Sequence, residues 1–149
     1  LGYQITQQFQ PIVVGGKIPF FIDNEKKYGI LEKAHVECDA AKSKHFGSET
    51  HIDISRVASP LLEIVSTPCL HTPEECVAYA KSVYDMVTAI DICDGKMEEG
   101  SFRVDASISL SPNDSLGTRV EIKNISSFAF LKEALYYEIE RHETSAVSF

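Results

Sequence analysis

Pro60-Leu61-Leu62-Glu63-Ile64-Val65, followed by Thr72-Pro73-Glu74-Glu75-Cys76, decides the fold. The first stretch is an aliphatic run of strand length. The second opens a helix: Thr72 is a natural N-cap, Pro73 stands at the first helical position and Glu75 completes a capping box. Cys76, Ala80, Val83, Val87 and Ile90 then recur at helical spacing and make one apolar stripe, which Asp94-Gly95 closes. Downstream, residues 101–110 and 117–123 read as strands joined by the turn cluster Ser111-Pro112-Asn113-Asp114-Ser115. Ser126 or Ser127 caps a last helix with Phe128, Leu131, Leu135 and Ile139 on its inner face. The order strand, helix, strand, strand, helix predicts an α+β fold, an antiparallel or mixed sheet with both helices on one face.

Upstream of Pro60 the pattern is less regular. Residues 11–14 and 17–22 read as a hairpin about Gly15-Gly16, the glycines supplying positive φ. Residues 28–40 read as a long strand, 42–50 as a polar loop and 51–54 as a short strand.

The face left uncovered by the helices collects charge. Strand side chains alternate between faces. One parity carries His35, Glu37 and Asp39, then Glu99, Ser101, Arg103 and Asp105, then Arg119, Glu121 and Lys123, while the other parity is mostly apolar. Glu63 stands alone in its aliphatic run, which reads as a strand covered on both sides. A carboxylate there needs a metal, an Arg or a Lys to offset its desolvation. Carboxylates bind a hard cation and Arg grips phosphate oxygens in pairs, so the set suggests a magnesium and phosphate site. Its densest part is Met97-Glu98-Glu99-Gly100-Ser101-Phe102-Arg103-Val104-Asp105. The same alternation also describes the wet face of an ordinary antiparallel sheet, with exposed cross-strand ion pairs of little energetic weight.

Composition excludes several classes. The 149 residues carry a net charge of −8, which argues against a free-standing nucleic-acid binder but not against a pocket that receives the end of a nucleic acid held elsewhere. Cys38, Cys69, Cys76 and Cys93 form no C-x-x-C pair, so a zinc site is not expected. Ser101 has no partners for a nucleophilic triad, and no Walker-type loop is present. No signal segment opens the chain and no apolar run is long enough to span a membrane, so reduced thiols in a cytosolic compartment are expected. The start at Leu1-Gly2-Tyr3, without Met, reads as a piece of a larger protein.

Several runs together carry a family resemblance: Gly2-Tyr3-Gln4-Ile5-Thr6-Gln7, residues 35–42, residues 56–66 with Pro60-Leu61-Leu62-Glu63-Ile64-Val65-Ser66, residues 96–105, and residues 117–124 with Ser127-Phe128. In this order they resemble the B subunits of aspartyl/glutamyl-tRNA amidotransferases, the GatB/GatE family. The resemblance implies a single partial domain over residues 1–149, part of a cradle related to glutamine synthetase, without the N-terminal metal-binding segment and the tRNA-gripping tail domain. It implies ATP- and Mg²⁺-dependent phosphorylation of the side-chain carboxylate of mischarged Glu-tRNA(Gln) or Asp-tRNA(Asn), followed by amidation with ammonia from a glutaminase. The implied partners are the amidotransferase A and C subunits of a heterotrimer and the tRNA acceptor end, with no membrane, in the bacterial cytoplasm or an organelle. Carried over by position, Glu37, Glu63, Glu99 and Asp105 are expected around the metal. Glu98 and Glu99 are expected to hold metal or the aminoacyl end, Arg103 and Lys123 to contact phosphate oxygens, and Glu121 to complete the acidic ring. The family usually has Glu where Cys38 stands, Gly where Ala41 stands, and Asn-Arg followed by Gly in the segment Ser55-Arg56-Val57-Ala58. A non-catalytic assembly module and a magnesium-dependent phosphohydrolase are the rival readings.

Overall fold

The computed structural model describes residues 3–110 and 116–146. The chain divides into two compact units, one holding residues up to Lys17 with Gly29–Cys69, the other Ile18–Tyr28 with the chain from Leu70 onward.

In the first unit, strand β1 (Val13–Val14) and strand β6 (Pro60–Ser66) both pair antiparallel with the later residues of the long strand β3 (Glu25–Cys38). Gly15-Gly16 is not the expected hairpin turn. Gly15 N–H donates to the Glu32 carbonyl and Leu31 N–H to the Gly16 carbonyl, so this step runs on along the same side of β3. The chain continues into β2 (Lys17–Ile22), itself a neighbour of β3, and the reversal falls at Asp23-Asn24. Both of these residues hold positive φ, 49° and 67°, as a tight hairpin requires. Short polar side chains tolerate that region, so glycine was not needed.

Two further expectations change here. Residues 42–50 are not a loop: β4 (Lys42–Phe46) and β5 (Glu49–Asp53) form an antiparallel ribbon. All of β4 is exposed, so no face carries an apolar pattern that could reveal a strand. The ribbon is tied by Lys44 Nζ to Asp53 at 3.0 Å, and the Ser55 hydroxyl and N–H together with Lys44 hold the Asp53 carboxyl well below the usual range. The aliphatic run of β6 is not covered on both sides. Leu62 is 42% exposed and the Glu63 side chain 54%, and since successive strand residues point to opposite faces, neither face is fully covered at this point.

The second unit contains α1 (Pro73–Ala89), β7 (Val104–Ile108), β8 (Val120–Ile125) and α2 (Phe128–Ala146). The order expected from residue 60 onward is present, but it does not build one sheet: β6 pairs with β3, and β7 with β8 as a separate antiparallel ribbon. Ala80 of α1, Ala106 of β7, Ile125 of β8 and Leu131 and Leu135 of α2 form the core, with Cys76, Val77, Val104, Ile108, Ile122 and Phe128 packed against it. Burial pushes the Cys76 thiol up to about 11, so it packs as a small apolar group. Val83 and Val87 are buried as the stripe predicts, while Ile90, just past the helix, is exposed. Ser127 is the residue that caps α2, its Oγ accepting the Phe130 N–H at 3.1 Å. The strands are shorter than expected: Glu99 and Gly100 lie in a turn, and residues 101–103 precede the strand. The turn cluster at 111–115 lies outside the described residues. Among the described residues, no helix is long and apolar enough to cross a membrane.

Candidate functional site

The first unit gathers three potential ligands. His35 and Glu63 are direct cross-strand partners in the β3–β6 register, and Glu37 follows His35 by one pleat. His35 Nε2 lies 3.0 Å from Glu63 Oε2 and 3.9 Å from Glu37 Oε2. Ligand atoms of the three residues fall within 4.8 Å of one another. Glu37 is fixed from both sides: its backbone faces Thr6 in an isolated bridge on one side and Leu61 of β6 on the other. Gln7 N–H donates to the Val36 carbonyl and Cys38 N–H to the Ile5 carbonyl, which locks the strand around it. His35 is 2% exposed, and its Nδ1 has no hydrogen-bond partner.

Two carboxylates so close repel each other unless a cation stands between them. Oxygen donors of this kind suit a hard divalent ion. The residues present therefore fit Mg²⁺, with Glu37 and Glu63 as the oxygen donors. Asp39, the next acid of the same parity, is engaged elsewhere: its Oδ2 meets Arg56 Nε at 3.0 Å, and its backbone carbonyl accepts the Ala58 N–H.

The second unit holds the other candidates in two groups. Asp105, Glu121 and Lys123 share the wet side of the β7–β8 ribbon. Lys123 Nζ is 3.4 Å from Glu121 and 3.9 Å from Asp105, and all three side chains are well exposed. This matches the exposed ion-pair geometry that the alternation also described. A register shift between Val104 and Ala106, with Asn124 at φ 63°, lets both Ile122 and Ile125 face the core although they are three apart.

Glu98 and Glu99 belong to the second group. In the turn before Gly100 both Glu98 and Glu99 line one cavity of about 620 Å³ with Tyr84, Lys96, Ser126, Ser127 and Phe128. The segment is held down by an aromatic trio: Tyr84 meets Phe102 and Phe128 edge-on at 5.3 and 5.6 Å. Gly95, at φ 74°, lies against the Tyr84 ring, where an added Cβ would come within 2.5 Å of the hydroxyl. Lys96 Nζ pairs with Glu99 at 3.2 Å, and Arg103 Nε donates to the Gly100 carbonyl at 3.1 Å. Lys96 and Tyr84 were not singled out by sequence. Lys96 carried a faint signal in its position three residues before Glu99, whereas Tyr84 is brought to the cavity by α1 packing alone.

The family model of the GatB/GatE catalytic domain matches residues 1–146. The B subunit of the aspartyl/glutamyl-tRNA(Asn/Gln) amidotransferase of Albidiferax ferrireducens is 50% identical over 141 residues, covering 93% of this chain and 30% of that protein. The corresponding B subunit of Neisseria meningitidis serogroup C is 50% identical over 143 residues, with 93% and 30% covered. That of Vesicomyosocius okutanii is 49% identical over 146 residues, with 95% and 31% covered. The chain thus spans about 30% of the length of these relatives.

Proposed function

Because the chain belongs to the GatB/GatE catalytic-domain family, we propose that it is part of the subunit that converts the side-chain carboxylate of mischarged Glu-tRNA(Gln) or Asp-tRNA(Asn) to an amide. ATP and Mg²⁺ are its cofactors in this reading, and the whole protein works with a glutaminase, the A subunit, and with a smaller partner, the C subunit, in a cytoplasmic or organellar complex. Phosphorylation turns a poor leaving oxygen into a good one, and ammonia then displaces the phosphate at the carbonyl carbon. The cradle is of the glutamine synthetase type.

The observation that carries this reading is the convergence of Glu37 and Glu63 beside His35. Glu37 and Glu63 would hold Mg²⁺, which supplies charge neutralisation at the transferred phosphoryl group when bound. Glu98 and Glu99 line a cavity large enough for the aminoacyl end of a tRNA, and Lys96 beside Glu99 offsets part of its charge. Lys123 and Arg103 are the candidate phosphate contacts. Lys123 lies on the ribbon near the carboxylates of Asp105 and Glu121.

The test is Glu63→Gln in the full-length protein within its complete complex. It is expected to abolish tRNA-dependent ATP cleavage while glutamine hydrolysis by the partner glutaminase persists. Transamidation at the parent rate would overturn the proposal.

A further inference from the structure

The unused feature of this site is a fully enclosed imidazole with only one of its two nitrogens engaged. His35 is 2% exposed, its Nε2 is 3.0 Å from Glu63 Oε2, and its Nδ1 is buried without a partner. A buried polar atom left unsatisfied calls for an explanation. With the ring proton on Nε2, His35 donates to Glu63 and leaves only a bare lone pair at Nδ1. With the proton on Nδ1, the ring would bury an N–H with no acceptor and set its Nε2 lone pair against a carboxylate oxygen. The first arrangement is the favourable one.

Resting on the metal reading above, we propose that His35 is a positioning residue that donates from Nε2 to Glu63 and so aims that carboxylate toward Glu37. The geometry explains why such a donor is needed. The Glu63 side chain is 54% exposed, so packing restrains its rotamers little. An unaided Glu63 would spend much of its time turned to solvent and away from Glu37. The Nε2–H bond selects the rotamer in which the two carboxylates converge, and the ring itself cannot turn, because its neighbours enclose it. Partners that orient a metal's ligands typically change its affinity by about 10- to 100-fold when removed.

Two amide substitutions separate the donor from the mere filling of space. Gln carries its amide nitrogen near the place of Nε2, whereas Asn is one methylene shorter and does not reach Glu63. In the full-length protein, with Mn²⁺ as an electron paramagnetic probe, His35→Gln is expected to bind near the parent affinity and His35→Asn about 10- to 100-fold more weakly. Glu63→Gln is the control that removes a metal ligand outright. Equal affinity of the two amides, or tighter binding by the Asn variant, overturns the role of His35 while the metal reading stands. Failure of the parent protein to bind Mn²⁺ overturns the metal reading, and this proposal with it. A second measurement needs no substitution: ring ¹⁵N shifts of His35 in the parent are expected to show the proton on Nε2, and a proton on Nδ1 alone overturns the proposal even if a variant fails to fold.

Discussion

Ala58 holds φ at 61° in the loop that leads into β6. Its N–H donates to the Asp39 carbonyl, Ser59 N–H donates to the Arg56 carbonyl, and the Arg56–Asp39 ion pair closes the loop. An L-residue in the left-handed region costs about 1–2 kcal/mol, and glycine avoids that cost while losing about 0.4–1 kcal/mol more chain entropy on folding. Ala58→Gly is therefore expected to stabilise the protein by about 0.5–1 kcal/mol, read as a higher urea midpoint. A midpoint at or below that of the parent would show that the loop holds Ala58 without strain. The titratable residues of this region were legible one by one, since His35, Glu37 and Asp39 share a parity. Their separate fates were not: Asp39 is engaged by Arg56, whereas Glu37 turns toward Glu63.

The start of α1 shows how an element records more than its own sequence. Thr72 Oγ1 accepts the Glu75 N–H at 3.1 Å, as a capping box requires. The reciprocal bond differs: the Glu75 carboxylate reaches the His71 N–H and also receives Lys27 Nζ, both at 2.7 Å. The Lys27 ammonium first, and then the His71 N–H, hold the Glu75 carboxyl below its ordinary value of 4.5. A lowered folded-state value means that the unfolded chain takes up the proton first, so the contribution is full above the ordinary value and is lost as the pH falls through the lowered one. Glu75→Gln is accordingly expected to lower thermal stability at pH 7, with parent and variant converging as the solution is acidified below about pH 4. A constant gap across that range would show that Glu75 acts by packing alone. The cap was readable because its groups are near neighbours. Lys27 was not, because it comes from the β2–β3 hairpin.

At the scale of the whole molecule, the helices and the β7–β8 ribbon are held by one apolar cluster whose centre is Leu131, with no exposed surface. Leu131→Ala is expected to destabilise the protein by about 2–5 kcal/mol, measured by urea denaturation, since the surrounding side chains can only partly fill the void. A loss below about 1 kcal/mol would show that the cluster collapses freely around the gap. The order of the elements from residue 60 onward, the cap of the first helix and most of the buried stripe of each helix were legible in the sequence itself, because helix and cap preferences depend on residues within a turn or two. The pairing of β7 with β8 was already implied by the short connection between them, whereas the partner of β6 was decided by tertiary structure alone. An aliphatic run does not state its neighbour, so β6 was open to join β7 and instead paired with β3. That choice sets Glu63 opposite His35, with Glu37 one pleat away, and so brings together three potential ligands from two strands, beyond the reach of any local pattern.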